Sequence, residues 1–235
     1  MTAHAAHAKG AKGGGKPKRK FRPHGAPAGV WPHQHWSHCV FHDPYERVNF
    51  WSHAVPGAAL LAGAAAAAAG TAPGGPVLAL FCACAAVTHC FSALTHVWPD
   101  SHGLEKLDHF GIVALILGTP VTQLMAVHPH GDTTCMAVCG VALLVAALLR
   151  PLPRTLGFLG VGAVMVFHYT YIIDASLAAQ IVLYIAGAAA FISNGGHERL
   201  PLLMTDHHIL HYTVTVACAI HVWNLLRLEA GGIRM

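Results

Sequence analysis

Seven stretches of this chain contain no Asp, Glu, Lys or Arg: residues 48–69, 76–98, 109–127, 133–149, 155–173, 175–194 and 207–226. Each approaches the length, about 20 residues, that crosses a hydrocarbon core as a helix. Lipid offers no hydrogen-bond partners, so backbone at that depth must satisfy its own N–H and C=O groups, and a helix does so within one segment. The pattern predicts an all-α protein: a seven-transmembrane helix bundle, integral and multi-pass. The first stretch is the least apolar, because its run Ala64 to Ala69 is only alanine. Composition agrees, with 10% charged residues where soluble domains carry about a quarter. A soluble globular fold is excluded for most of the chain.

The separators carry the orientation. Seven of the 14 Lys and Arg residues fall in the first 22 positions, as Lys9, Lys12, Lys16, Lys18, Arg19, Lys20 and Arg22. Residues 1–30 are otherwise Gly, Ala, Pro and His, too poor in apolar groups to fold, and read as a disordered basic cytosolic tail. Beside a membrane, the run Lys16 to Arg22 points to anionic lipid rather than nucleic acid. Those 30 residues hold no apolar stretch, so no signal peptide is expected and the first span serves for targeting. Residues 31–47 mix Trp, His and Pro and read as an interfacial segment ahead of the membrane domain, 48–228. With the tail inside, the cytoplasmic connections are 99–108, 150–154 and 195–206, which carry Lys106, Arg150, Arg154 and Arg199, while the opposite connections carry no cation. Cationic loops stay cytoplasmic, so the N-terminus is expected inside and the C-terminus outside. Six of the seven cysteines lie inside apolar runs without zinc-ribbon spacing and read as small core residues rather than disulfides.

Polar residues at membrane depth are costly and are expected to be paired or functional. His96 ends the second span, Asp108 opens the third, and His207 and His211 open the seventh. The topology puts all four in one cytoplasmic-side layer. His207 and His211 are four apart, hence on one helix face, as are Ser92 and His96. Three imidazoles without thiolates match the open, catalytic type of zinc site. His208 competes with His207, but it sits about 60° from His211 around a helix instead of about 40°, which favours His207. With 20 histidines in the chain, spacing alone leaves a chance pairing open.

The wider pattern is more specific. Glu46-Arg47-Val48-Asn49-Phe50-Trp51-Ser52-His53, Ser92 to His96, Leu107-Asp108-His109-Phe110-Gly111-Ile112, and His207 to His211 followed by His221 resemble, in order, the signature segments of the progestin and adipoQ receptor/hemolysin III family. The resemblance runs from residue 44 to about 226. It implies zinc held by His96, His207 and His211, with Ser92 and Asp108 beside the metal. Asp206 and His197-Glu198-Arg199 depart from the family's usual residues, and the short turn between His96 and Asp108 is closer to the hemolysin III style than to adiponectin receptors. The implied activity is a zinc-dependent, ceramidase-like hydrolase of lipid amides, with Asp108 handling the water proton and Ser92 hydrogen-bonding the water or the oxyanion. The competing implication is a receptor for a small lipid, sterol or hormone ligand in which zinc is structural. A metal transporter fits less well, since no second charged site lies mid-membrane.

Glu46, Asn49 and His53 share one helix face and read first as a hydrogen-bonded brace, with outer support of a metal as the alternative. His221 lies about 15 Å along the helix from His211, too deep for the same metal, and reads as cavity lining or packing. His89 reads as core. His168, Tyr169 and Tyr171 read as aromatic packing, and the His33, His35, His38 and His42 cluster as no specific site. Glycosylation-acceptor tags test the topology: a tag after residue 235 is modified and one before residue 1 is not. The reverse result inverts the placement of the histidine layer.

Overall fold

A computed structural model describes residues 35–99, 101–194 and 206–231. The tail, most of the 195–206 connection and the last four residues lie outside the described residues, so the tail's disorder and its cations are not addressed by it. The described residues contain helices and no strand: α1 (Trp36–Phe41), α2 (Glu46–Ala68), α3 (Gly75–Val97), α4 (His102–Val127), α5 (Thr134–Ala147), α6 (Pro151–His168), a 3-10 turn (Thr170–Ile172), α7 (Ala175–Asn194) and α8 (Asp206–Ala230). Among them, α2, α3, α4, α7 and α8 are long and apolar enough to cross a membrane. The fold is all-α and that of an integral multi-pass membrane protein. α5 has 14 residues, about 21 Å at 1.5 Å per residue, which is short of a hydrocarbon core of about 30 Å; α6 is also a shorter apolar helix.

Helix ends differ from the charge-free stretches for identifiable reasons. The expected 99–108 turn is largely helix, because Ser101 accepts a hydrogen bond from the Leu104 N–H at 3.4 Å and starts α4 at His102. Glu105, Lys106 and Asp108 therefore sit on helical turns. α6 stops at His168, earlier than the expected 173, where the buried Tyr169 hydroxyl donates to Asp132 O (3.0 Å) and accepts from Met136 N–H (3.2 Å). Asp132, bonded by the Thr134 side chain and N–H, has its carboxyl held below the ordinary aspartate range. Asp174 then accepts from Leu177 N–H at 2.8 Å and opens α7. The interfacial segment contains α1, whose Val40 carbonyl accepts from Trp51 Nε1 at 3.0 Å.

Close helix approach positions the site. At Gly111 of α4 an added Cβ would lie 2.9 Å from Thr88 Cα of α3, and at Gly118 2.8 Å from Cys84 Cβ. Thr88 Oγ donates to the Gly111 carbonyl at 2.7 Å across this seam. Small residues let backbones meet without a hydrophobic force between helices. The seam sets α3, with Ser92 and His96, directly against the first turns of α4. In α2, Pro56 cannot donate to the Ser52 carbonyl, and Thr215 of α8 donates to it instead, at 3.5 Å.

At the end remote from the histidines, Arg227 donates to Asp174 (3.0 Å) and to Asn224 (2.8 Å), and Asn224 donates to Gln123 (3.0 Å). Gln123 in turn donates to Ile172 O at 3.3 Å. Cys82, Cys139 and Cys218 are buried thiols in the core, as the apolar runs implied. Gly111→Ala must push backbone apart, and overpacking of this kind costs about 1–3 kcal/mol. Thermal unfolding in detergent is expected to show a lowered midpoint for Gly111→Ala, and little change for Gly160→Ala, whose Cβ meets nothing within 4 Å.

Candidate metal centre

His96 occupies the last turn of α3, and His207 and His211 the first two turns of α8. The bundle brings one ligand nitrogen of each within 4.8 Å of the others. Ring centroids are 5.2 Å apart for His96–His207 and His96–His211, and 4.6 Å for His207–His211. His96 and His211 are buried and His207 is half-buried. His208 turns away: its Nε2 lies 3.2 Å from the Tyr45 carbonyl. The angular preference for His207 over His208 thus matches the geometry.

The face of α2 that carries Glu46, Asn49, His53 and Gly57 is buried. Asp43 accepts from the Tyr45 and Glu46 N–H groups, both at 2.9 Å, and so fixes the first turn of that helix. The Glu46 carboxylate accepts from His96 Nδ1 at 2.7 Å. Ser52 Oγ lies 3.1 Å from His211 Nδ1. His53 stacks on His211, with centroids 3.7 Å apart and planes within 10°. Glu46 and His53 link α2 to α3 and α8 at the histidine cluster itself, a contact that serves the brace reading and outer support of a metal alike. Asn49 makes no such contact, and both its amide atoms are buried without a partner. His89 bridges Ala85 O (2.8 Å) and Thr215 Oγ (3.2 Å), and His221 meets Thr122 Oγ at 2.9 Å. Both are packing residues.

Ser92, one turn before His96, is buried, and its hydroxyl acts electrostatically on the Asp108 carboxyl. Asp108 is not among the clustered ligand atoms. Both residues line a cavity of about 1190 Å³ together with the three histidines. Elsewhere its wall is mostly apolar, with Phe158, Leu159 and Met165 of α6 and Ile181, Ile185 and Phe191 of α7, while Thr119 and Tyr184 add hydroxyls and Glu105, Lys106 and His109 stand where α4 begins. Arg154 also lines the cavity and stands in the electrostatic field of Asp108 and Glu105. Arg154, expected in a cytoplasmic connection, lies instead in α6, whose start at Pro151 turns it onto the cavity wall. Tyr169 reaches the cavity as well, whereas His168 and Tyr171 are not among its lining residues.

The donors fit a bound metal ion. His96 and His211 each have Nδ1 engaged by an α2 oxygen, which leaves Nε2 as the ligand atom. His207 Nδ1 is buried without a partner, and a buried polar atom in that state needs one. Three imidazole nitrogens suit zinc and related transition metals. Detergent-purified protein given zinc is expected to lose bound metal on His96→Ala, His207→Ala or His211→Ala, and to keep most of it on His208→Ala or His221→Ala. Elemental analysis reads the difference, and unchanged metal in His96→Ala removes the site.

Among curated proteins, none gives a significant match to the chain. The family model described as haemolysin-III related matches residues 41–222. That interval contains α2 to α7 entire and α8 as far as Val222, with Glu46, Ser92, His96, Asp108, His207 and His211 inside it. It covers well over half of the 235 residues, and the chain belongs to the haemolysin-III related family.

Proposed function

We propose that this protein is a membrane-embedded, zinc-dependent hydrolase of lipid amides, ceramide-like in substrate. The observation that carries the reading is the grouping of three clustered histidines, an acid and a hydroxyl at the polar end of one large apolar cavity. Apolar walls favour acyl chains, and the polar groups then meet the amide. In this reading α2 to α8 are the seven spans, the N-terminus is cytoplasmic, the C-terminus is outside, and the histidines lie toward the cytoplasmic face. The basic tail adds contact with anionic lipid.

His96, His207 and His211 would hold the zinc. When bound, the ion supplies Lewis acidity, polarising the scissile carbonyl and making water a competent nucleophile near neutral pH. Asp108 accepts the proton that water loses as its oxygen bonds to the carbonyl carbon. It returns that proton to the nitrogen as the C–N bond breaks, so a fatty acid and a free amine leave. Ser92, on the same cavity wall as Asp108, orients the carboxylate and offers a donor to the carbonyl oxygen as charge grows there. Arg154 balances the negative charge of Asp108 and Glu105 on the same wall.

Asp108→Asn keeps size and removes the proton acceptor. The variant is expected to remain folded and zinc-loaded while losing ~10²–10⁴-fold in the release of fatty acid from N-acyl sphingoid lipids. Two results overturn the reading. Wild-type protein that hydrolyses no lipid amide points to a receptor with a structural ion and a small lipid, sterol or hormone ligand. A variant that loses its zinc makes Asp108 a support of the metal and not a base.

A further inference from the structure

We infer that Glu46 is a positioning residue of the metal centre, holding His96 in the one tautomer that presents Nε2 to an ion. The inference rests on the three-histidine site described above. Glu46 is 1% exposed, and its Oε2 lies 2.7 Å from His96 Nδ1, itself on a side chain that is 1% exposed as a residue. Glu46 and His96 share one proton across this contact, and with the carboxylate as acceptor that proton resides on Nδ1 and the ring lone pair on Nε2. A carboxylate behind a metal-ligating histidine fixes the ring plane and raises the basicity of the ligand nitrogen.

The surroundings make this contact rigid. Asp43 clamps the turn that carries Glu46 through two 2.9 Å hydrogen bonds. Farther along, α2 lies hard on α3, since a Cβ at Gly57 would come 3.2 Å from His89 Cβ and 3.1 Å from Cys90 Sγ. Neither helix can slide without breaking the pair. The three histidines are then supported unequally. His96 has a carboxyl partner, His211 has the Ser52 hydroxyl at 3.1 Å, and His207 Nδ1 has none. Charge-assisted bonds are roughly twice as strong as neutral ones, so His96 is the fixed corner of the site.

The test uses zinc alone, titrated into detergent-purified full-length protein against a competing chelator. Glu46→Gln is expected to weaken zinc binding ~10–100-fold, whereas Asn49→Leu, on the same buried face one turn away, leaves zinc affinity unchanged. A residue that merely braces α2 against α3 would affect unfolding temperature in both variants and zinc affinity in neither. Nitrogen-15 spectra of the wild-type histidine side chains give a reading independent of any variant's folding: His96 is expected protonated at Nδ1. Wild-type zinc affinity retained in Glu46→Gln, or His96 protonated at Nε2, overturns the inference while leaving the three-histidine site standing. Wild-type protein that binds no zinc overturns the site and the inference with it.

Discussion

A polar side chain inside an apolar bundle has no solvent to fall back on, and an unsatisfied one costs about 1–3 kcal/mol. That constraint arranges this molecule. Two levels of the bundle carry hydrogen-bonded polar clusters. At one level are Asp43, Glu46, Ser52, His96 and His211; at the other are Thr122, Gln123, Asn224 and His221. Between them Phe81, Cys82, Ala85, Leu115 and Cys218 form an apolar layer. α8 contributes to both polar levels, so its register against α2, α3 and α4 is fixed twice. The histidine geometry therefore depends on amides some fifteen residues along the same helix, because slippage of α8 would break Asn224–Gln123 and His221–Thr122 together.

Backbone contact supplies the remaining precision. Gly111 and Gly118 are seven apart and face Thr88 and Cys84 on α3. With no hydrophobic force between helices in lipid, such seams draw their stability from close packing and from bonds like Thr88 to the Gly111 carbonyl. The consequence for the site is direct. Ser92 is four residues past Thr88, and Asp108 is three residues before Gly111, so the seam brings the two side chains to the same wall. Pro56 adds a second device: the carbonyl it leaves open on Ser52 is taken by Thr215 of α8, beside the Ser52 hydroxyl that meets His211.

Much of this was legible in the amino-acid sequence, and the parts that were not share a cause. Charge-free runs report hydrocarbon depth, so they located α2, α3, α7 and α8 within a few residues. They do not report where helices end, and the two charged turns of α4 before His109 were read as a connection. The angle between side chains on one helix separated His207 from His208, since that geometry is local. The pairing of Glu46 with His96 spans 50 residues and leaves no trace in local spacing; only the buried stripe Glu46, Asn49, His53 hinted that α2 faced something polar. Gln123 and Asn224 were overlooked because they are uncharged. The signal was present, in that an amide deep in an apolar span needs a partner as surely as a carboxylate does.

The surroundings of Tyr45 bear on the substrate class proposed above. Its ring is 1% exposed and packs edge-on to His96 and His207 at 6.3 and 6.0 Å, with His208 at 5.3 Å. It covers the histidines on the side where α2 begins. The uncovered side is the cavity, and apart from its polar end that cavity is walled mostly by leucine, isoleucine, phenylalanine and methionine, with the hydroxyls of Thr119, Tyr169 and Tyr184 among them. A water-soluble amide would exchange hydration for apolar wall before reaching Asp108. A lipid amide makes no such sacrifice, since its chains leave one apolar medium for another and only the amide changes surroundings. The same geometry separates the duties of the two carboxylates. Glu46 sits behind a histidine, sealed from the cavity by the ring it orients, where a base could reach no substrate. Asp108 sits on the cavity wall, where the proton-acceptor role proposed above can reach a bound amide.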